Sequence, residues 1–227
     1  MGKIAHILKK KEVGSTGIGA MIVFIAVVLV AGIAASVLIQ TAMKLETQAM
    51  TTGAQTIGEV ATGVAVSEIE GYNRSSTGTI GWIAIGIRCR AGSQDVDLSN
   101  TVIEISNSVT KNFLTYDSTF HTPKASIAGN IFTRLFYPED SNSSNTTNSS
   151  VTFGIIVLED ADNSCQQTTP VINKGDHIML TVNTSACFGG LSTRKDVFGM
   201  VIPELGSPGM ISFTTPSAYN AKVLELQ

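Results

Sequence analysis

Ile18-Gly19-Ala20-Met21-Ile22-Val23-Phe24-Ile25-Ala26-Val27-Val28-Leu29-Val30-Ala31-Gly32-Ile33-Ala34-Ala35-Ser36-Val37-Leu38-Ile39 is an apolar run interrupted only by Gly19, Gly32 and Ser36. No charged residue occurs between Glu12 and Lys44. As a helix the run is about 33 Å long, enough to cross a hydrocarbon core of about 30 Å. Its β-branched residues do not oppose a helix, because lipid leaves the backbone only intra-segment partners. A soluble core helix is rarely so apolar on every face.

The flank before the run holds Lys3, Lys9, Lys10 and Lys11 against Glu12, a charge of +3 with His6 neutral. The positive-inside rule places this end in the cytoplasm and the remainder outside. Basic residues followed by an apolar run also describe a secretory signal peptide, but the run exceeds the usual 7–15 residues of that class. The small residues Ala34-Ala35-Ser36 are followed by further apolar ones, whereas Gly14-Ser15-Thr16-Gly17-Ile18-Gly19 precedes the run. Glycines keep a backbone open. This patch is therefore the expected cutting site, on the cytoplasmic side, leaving the apolar helix on the mature chain.

The whole chain has 227 residues and a net charge of −3. That charge excludes a broadly basic nucleic-acid binder working through phosphates. Three cysteines, none in a C-x-x-C pair, are too few for a disulfide scaffold. Charged residues are 15% of the chain, low for a soluble domain.

Lys9-Lys10-Lys11-Glu12-Val13-Gly14 followed by Ser15 to Ala26 resembles an archaeal flagellin (archaellin) of the type IV pilin-like superfamily. Ala31–Gln40, Arg90-Ala91-Gly92-Ser93, Asp97-Leu98-Ser99 and Asn173-Lys174-Gly175-Asp176 extend the resemblance. Phe198-Gly199, Pro203-Glu204, Pro208-Gly209, Phe213–Pro216 and Leu226-Gln227 carry it nearly to the end. The resemblance implies that a prepilin-type peptidase cuts between Gly14 and Ser15. Bacterial type IV pilins usually have glutamate at the fifth mature position; here that position is Gly19, which favours the archaellins.

Beyond the run, Met50, Ala54, Ile57, Ala61 and Val64 recur at helical spacing. The spacing predicts one helix from about Thr16 to about Val66, roughly 75 Å long. Such a rod needs other copies to bury it, and Gly53, Gly58 and Gly63 permit close approach. From Ile80 the period becomes two, with Ile83, Ile85, Ile87 and Cys89 on one side. Further strands are expected at 102–106, 131–137, 151–158, 178–182, 197–202, 210–214 and 222–226, separated by Gly-rich turns. The expected class is α+β: a long N-terminal hydrophobic α-helix followed by an all-β, Ig-like β-sandwich head. The expected segments are a leader at 1–14, a filament-core or transmembrane helix at 15–70 and an extracellular head at 71–227.

Asn73, Asn142, Asn145, Asn148 and Asn183 stand in Asn-x-Ser/Thr sequons, three of them in the low-complexity stretch 141–150. In an extracellular domain they are N-glycosylation candidates, and an oligosaccharyltransferase would be a partner. Cys165 and Cys187 both lie beyond the membrane, and a bridge between them would stabilise by about 3 kcal/mol in the chain-entropy model. Three free thiols is the alternative, with Cys89 buried on its strand. Glu159-Asp160-Ala161-Asp162-Asn163 offers oxygen ligands for calcium but lacks an EF-hand's glycine and distal glutamate. No cofactor is required, and acidic turns are more often simply solvated. His6, His121 and His177 form no H-E-x-x-H spacing, and no G-x-S-x-G or P-loop occurs.

The expectation is a non-enzymatic subunit that polymerises through its helix. The resemblance implies an extracellular archaellum used for swimming, built from a membrane precursor by an assembly ATPase and a membrane platform. Two alternatives stay open: an archaeal adhesion pilin, and an uncleaved membrane-anchored binding module.

Overall fold

The computed structural model describes the backbone of residues 2–73, 78–127, 129, 131–134 and 150–227, with side chains from Gly17 onward except 133 and 134. The chain divides into two compact units, Met1–Gln55 and Thr56–Gln227. Helix α1 runs from Gly2 to Ala61. It begins earlier and ends earlier than the sequence spacing predicts. The residues expected to close the helix, 62–66, instead enter strand β1 (Val64–Tyr72). The β-branched Val64 and Val66 gain a neighbouring strand there, and Val64 and Ile69 are fully buried. Tertiary pairing outweighs the weak helical period.

The remaining strands are β2 (Trp82–Cys89), β3 (Val96–Asp97), β4 (Val102–Ser106), β5 (Lys111–Thr122), β6 (Thr152–Glu159), β7 (Val171–Ile172), β8 (His177–Val182), β9 (Asp196–Ile202), β10 (Gly209–Thr214) and β11 (Val223–Glu225). The all-β head expected after the long helix is present. Its main strands belong to one continuous sheet, in the order β10-β9-β4-β5-β6-β8-β2-β1-β11, with β3 and β7 forming a small pair. All neighbours in the large sheet are antiparallel except β5 and β6, which run parallel. The sheet curls until its ends approach. Gly63 bridges Ser207, and Gln227 bonds both to Ile69 on β1 and to the Ser212 amide on β10.

The interior of the curl is the core, built from Ile83, Ile85 and Ile87 of β2, Ile103 and Ile105 of β4, Phe153 and Ile155 of β6, Ile178 and Leu180 of β8, and Val197 of β9. The outer face of β2, β8 and β6 carries a second cluster, Ala84, Met179 and Ile156, covered by Phe132. Phe132 lies on α2 (Ile131–Arg134), a single helical turn where alternation predicts a strand. Its ring stacks on Tyr72 at 4.9 Å. One aromatic anchor in an apolar pocket fixes this turn, with no strand partner needed. A further turn, α3 (Thr184–Phe188), follows β8.

Thr62 is where the chain leaves α1 and enters the head. Its amide donates to Gly58 and its carbonyl accepts from Ser207, while Gly63 donates to Ser93 Oγ. Gly206 approaches from the facing turn with φ +97°, and a methyl group there would collide with the Thr62 carbonyl. Only glycine satisfies both the positive φ and the close approach.

Candidate functional site

The largest chemically distinctive surface is α1. Ile22, Phe24, Leu29, Ile33 and Leu38 are 61–69% exposed. With the similarly exposed Val23 and Ile25 they point in all directions around the helix, as the unbroken apolar composition requires. Hydroxyl groups along the rod are turned inward onto its own backbone: Thr41 Oγ1 donates to the Leu38 carbonyl at 2.9 Å and Thr47 Oγ1 to that of Met43 at 2.8 Å. Threonines satisfied in this way enter an apolar medium without orphaned donors. Each Val, Leu, Ile, Phe or Met fully buried contributes about 1.5–3 kcal/mol. That drive is met by lipid or by other apolar rods.

Gly14 and Ser15 lie inside α1, with helical backbone, where the glycines suggested a backbone open ahead of the helix. Helix runs through these positions although each glycine costs about 1 kcal/mol relative to alanine. A peptidase cutting there must unwind a turn, and Gly14, Gly17 and Gly19 lower that cost.

The sequons separate by environment. Asn142, Asn145 and Asn148 lie outside the described residues. Asn73 is half-buried, and its amide donates to the Lys222 carbonyl at 2.8 Å. Asn183 is the N-cap of α3: its side-chain oxygen accepts from the Ala186 amide at 3.0 Å, and the residue is only 9% exposed. A side chain committed to a cap and enclosed by the head is a poor glycan acceptor, so Asn183 drops out of the candidate set.

The cysteines are three free thiols, and the Cys165–Cys187 bridge is absent. The two residues have different neighbours along β5. Asn112 donates to the Cys187 carbonyl at 2.9 Å, whereas Cys165 lies beside Tyr116, four residues further along that strand. Cys187 Sγ instead faces the Ser150 carbonyl, and Cys89 Sγ faces that of Ile172. Burial pushes the Cys165 thiol up to about 12 and the Cys89 and Cys187 thiols up to about 11, so all three stay protonated and unreactive.

Two residues of the acidic turn, Asp160 and Asp162, are joined by one that the turn alone does not reveal. Asp176 comes from the Asn173-Lys174-Gly175-Asp176 turn, and the three carboxylates offer oxygens all within 4.8 Å of one another. Asp176 is 3% exposed; its Oδ2 accepts from the Asn173 amide at 2.8 Å, but its Oδ1 is buried with no partner. Burial raises the Asp176 pKa, and Asp160 and Asp162 add repulsion. Hydrogen bonds from Ser164 lower that of Asp162. A hard divalent cation fits this set: all donors are oxygens, and it would satisfy the orphaned Oδ1. Glu159 is not among the converging carboxylates. The signal for Asp176 lay in the glycine turn that aims it, thirteen residues from the turn it joins.

The family model described as archaeal-type flagellin matches residues 14–213. Flagellin B2 of Methanocaldococcus jannaschii is 41% identical, over 99% of this chain and all of that one. Flagellin B1 of Thermoplasma volcanium is 37% identical over 98% and 96% of the two chains. The crystal structure of archaeal flagellin FlaB1 from Methanocaldococcus jannaschii superposes with a TM-score of 0.63 at 34% identity, covering 74% of this chain and 98% of that one. The archaeal flagellum of Methanospirillum hungatei strain JF1 shares the fold, with a TM-score of 0.59 at 15% identity. An apolar rod joined to a curled β head, matched along its length by these relatives, makes the chain a structural filament subunit rather than an enzyme, and it belongs to the archaeal-type flagellin family.

Proposed function

We propose that the chain is synthesised as a cytoplasmic-membrane precursor with its basic end inside. A prepilin-type peptidase cuts it between Gly14 and Ser15. An assembly ATPase and a membrane platform then extrude it into a rotated archaellum that drives swimming. The observation that carries this reading is α1, whose apolar side chains are exposed all round. Removal of the +3 leader strips the charges that oppose withdrawal of the rod from the cytoplasmic face. Identical rods then exchange lipid contacts for one another. Sheared surface filaments are expected to begin at Ser15 on N-terminal sequencing, and deletion of the gene is expected to abolish swimming. Retained swimming with lost attachment would favour the adhesion pilin, and a mature chain beginning at Met1 the uncleaved binding module. An oligosaccharyltransferase acting at Asn73, Asn142, Asn145 or Asn148 completes the proposed partners.

A second reading concerns the head. The orphaned Asp176 Oδ1 supports a structural calcium ion held by Asp160, Asp162 and Asp176. When bound, the ion tethers the two turns and contributes stability by mass action, about 2.7 kcal/mol at a hundredfold excess over Kd. Calcium is expected to raise the melting temperature of the purified chain in detergent, and chelation to reverse this. Asp176→Asn should remove the response. Because the raised Asp176 carboxyl must ionise to bind, the calcium effect should shrink as pH falls through the acid range. An unchanged melting temperature with and without calcium would refute the site.

A further inference from the structure

Strand β11 is three residues long and forms the edge of the large sheet, pairing among the described residues only with β1. Its register sets Glu225 directly opposite Glu70. Like charges directly opposed on neighbouring strands destabilise the pairing. Glu68 stands two residues from Glu70 on the same strand, and three carboxylates therefore gather at one margin. Among the described residues, the charged groups that face this margin from packed elements are few. On β8, His177 Nε2 lies 3.3 Å from Glu68 Oε1, shared with Ser67 Oγ at 3.3 Å. On β2, Arg88 sits opposite Ala65, toward the far end of β1, and the residue opposite Glu70 is Ala84. Strand β10 carries no ionisable residue.

The segment that carries Glu225 also closes the fold. The Leu226 amide donates to the Ile69 carbonyl at 2.7 Å, and the Ile69 amide to the Gln227 main-chain oxygen at 3.0 Å. Gln227 Oε1 accepts from the Ser212 amide of β10 at 3.1 Å. Leu224 and Leu226 pack against the core from outside the last ladder. Residues 223–227 thus tie β1 to β10, the two margins that the curl brings together.

We propose that Val223–Gln227 is a strap that closes the curled sheet, and that it is loosened by ionisation of the carboxylates facing each other across β1 and β11. Burial, and then Glu68 and Glu225, raise the Glu70 carboxyl above its ordinary value. The sign follows. A carboxyl that binds its proton more readily in the closed state favours closure as pH falls toward the ordinary carboxylate range, and disfavours it once ionised. The strap is therefore tighter in mild acid and looser at neutral pH.

Hydrogen exchange of the full chain in detergent, corrected for intrinsic rates, tests this at about pH 5 and about pH 7.5. Protection of Leu224, Leu226 and Ser212 amides relative to those of β4 and β9 is expected to rise roughly two- to fivefold in acid, the scale of one opposed like-charge pair. Glu70→Gln should give the acid level at neutral pH and remove most of the pH dependence. Glu225→Gln should do the same from the other strand, which keeps the test decisive should one variant fold poorly. Gln227→Ala should release Ser212 while leaving the β1–β11 amides protected. Equal relative protection at both pH values, or neutral-pH protection unchanged in both glutamine variants, overturns the proposal.

Discussion

Cells whose only copy of this chain carries Gly14→Val are expected to make no filament. The full-length precursor should accumulate in the membrane fraction, and electron microscopy should show bare cells. The backbone at Gly14 is helical. Cutting there demands local unwinding and passage through an enzyme cleft, and a β-branched residue hinders both. The consequence is amplified by electrostatics. An uncut chain keeps Lys3, Lys9, Lys10 and Lys11, and each charge drawn to the middle of an apolar environment costs about 2.5–3.5 kcal/mol on insertion scales. One failed proteolytic event thus blocks assembly altogether. Normal filaments on the variant cells would refute the processing step.

Gly206→Ala is expected to lower the melting temperature of the head by about 5–15 °C, from a destabilisation of about 2–4 kcal/mol. The residue sits at φ +97°, and its Cα faces the Thr62 carbonyl with no room for a methyl group. Either the turn moves, breaking the Ser207–Thr62 bond, or the strain stays. A differential scan of the purified chain measures it. Gly78→Ala is the control: it also has a positive φ, of +71°, but nothing lies within 4 Å, so its loss should be smaller and purely conformational. Equal losses in the two variants would show that the contact with Thr62 contributes nothing.

The rod was legible because its signal is one-dimensional: hydropathy and charge along the chain decide it without reference to any partner. Strand β4 was legible for a similar reason, since Ile103 and Ile105 alternate cleanly with Glu104. Strand β5 was not. Lys-Asn-Phe-Leu-Thr-Tyr-Asp-Ser-Thr-Phe-His-Thr carries polar residues on both faces, and its ladder to β4 and β6 supplies the stability that composition does not announce. The helix boundary was misplaced because Val64 fits the helical stripe and the strand equally, and β2 decides between them. The turn at Phe132 was hidden because Ile131, Phe132 and Thr133 have strand propensity, while the Tyr72 ring that holds Phe132 lies sixty residues away. The acidic cluster was half legible: Asp160 and Asp162 are neighbours in sequence, and Asp176 joins them only through folding.

The junction at Thr62 has a mechanical consequence. Tension arriving through residues 56–61 reaches a residue fastened on two sides, to Ser207 through its carbonyl and to the Gln94 amide through its hydroxyl, with Gly63 held by Ser93 next to it. Such fastenings share a load in parallel, so they must give way together rather than peel one after another. A filament subunit pulled along its chain gains from a joint of this kind, fastened from the side as well as continued along the backbone.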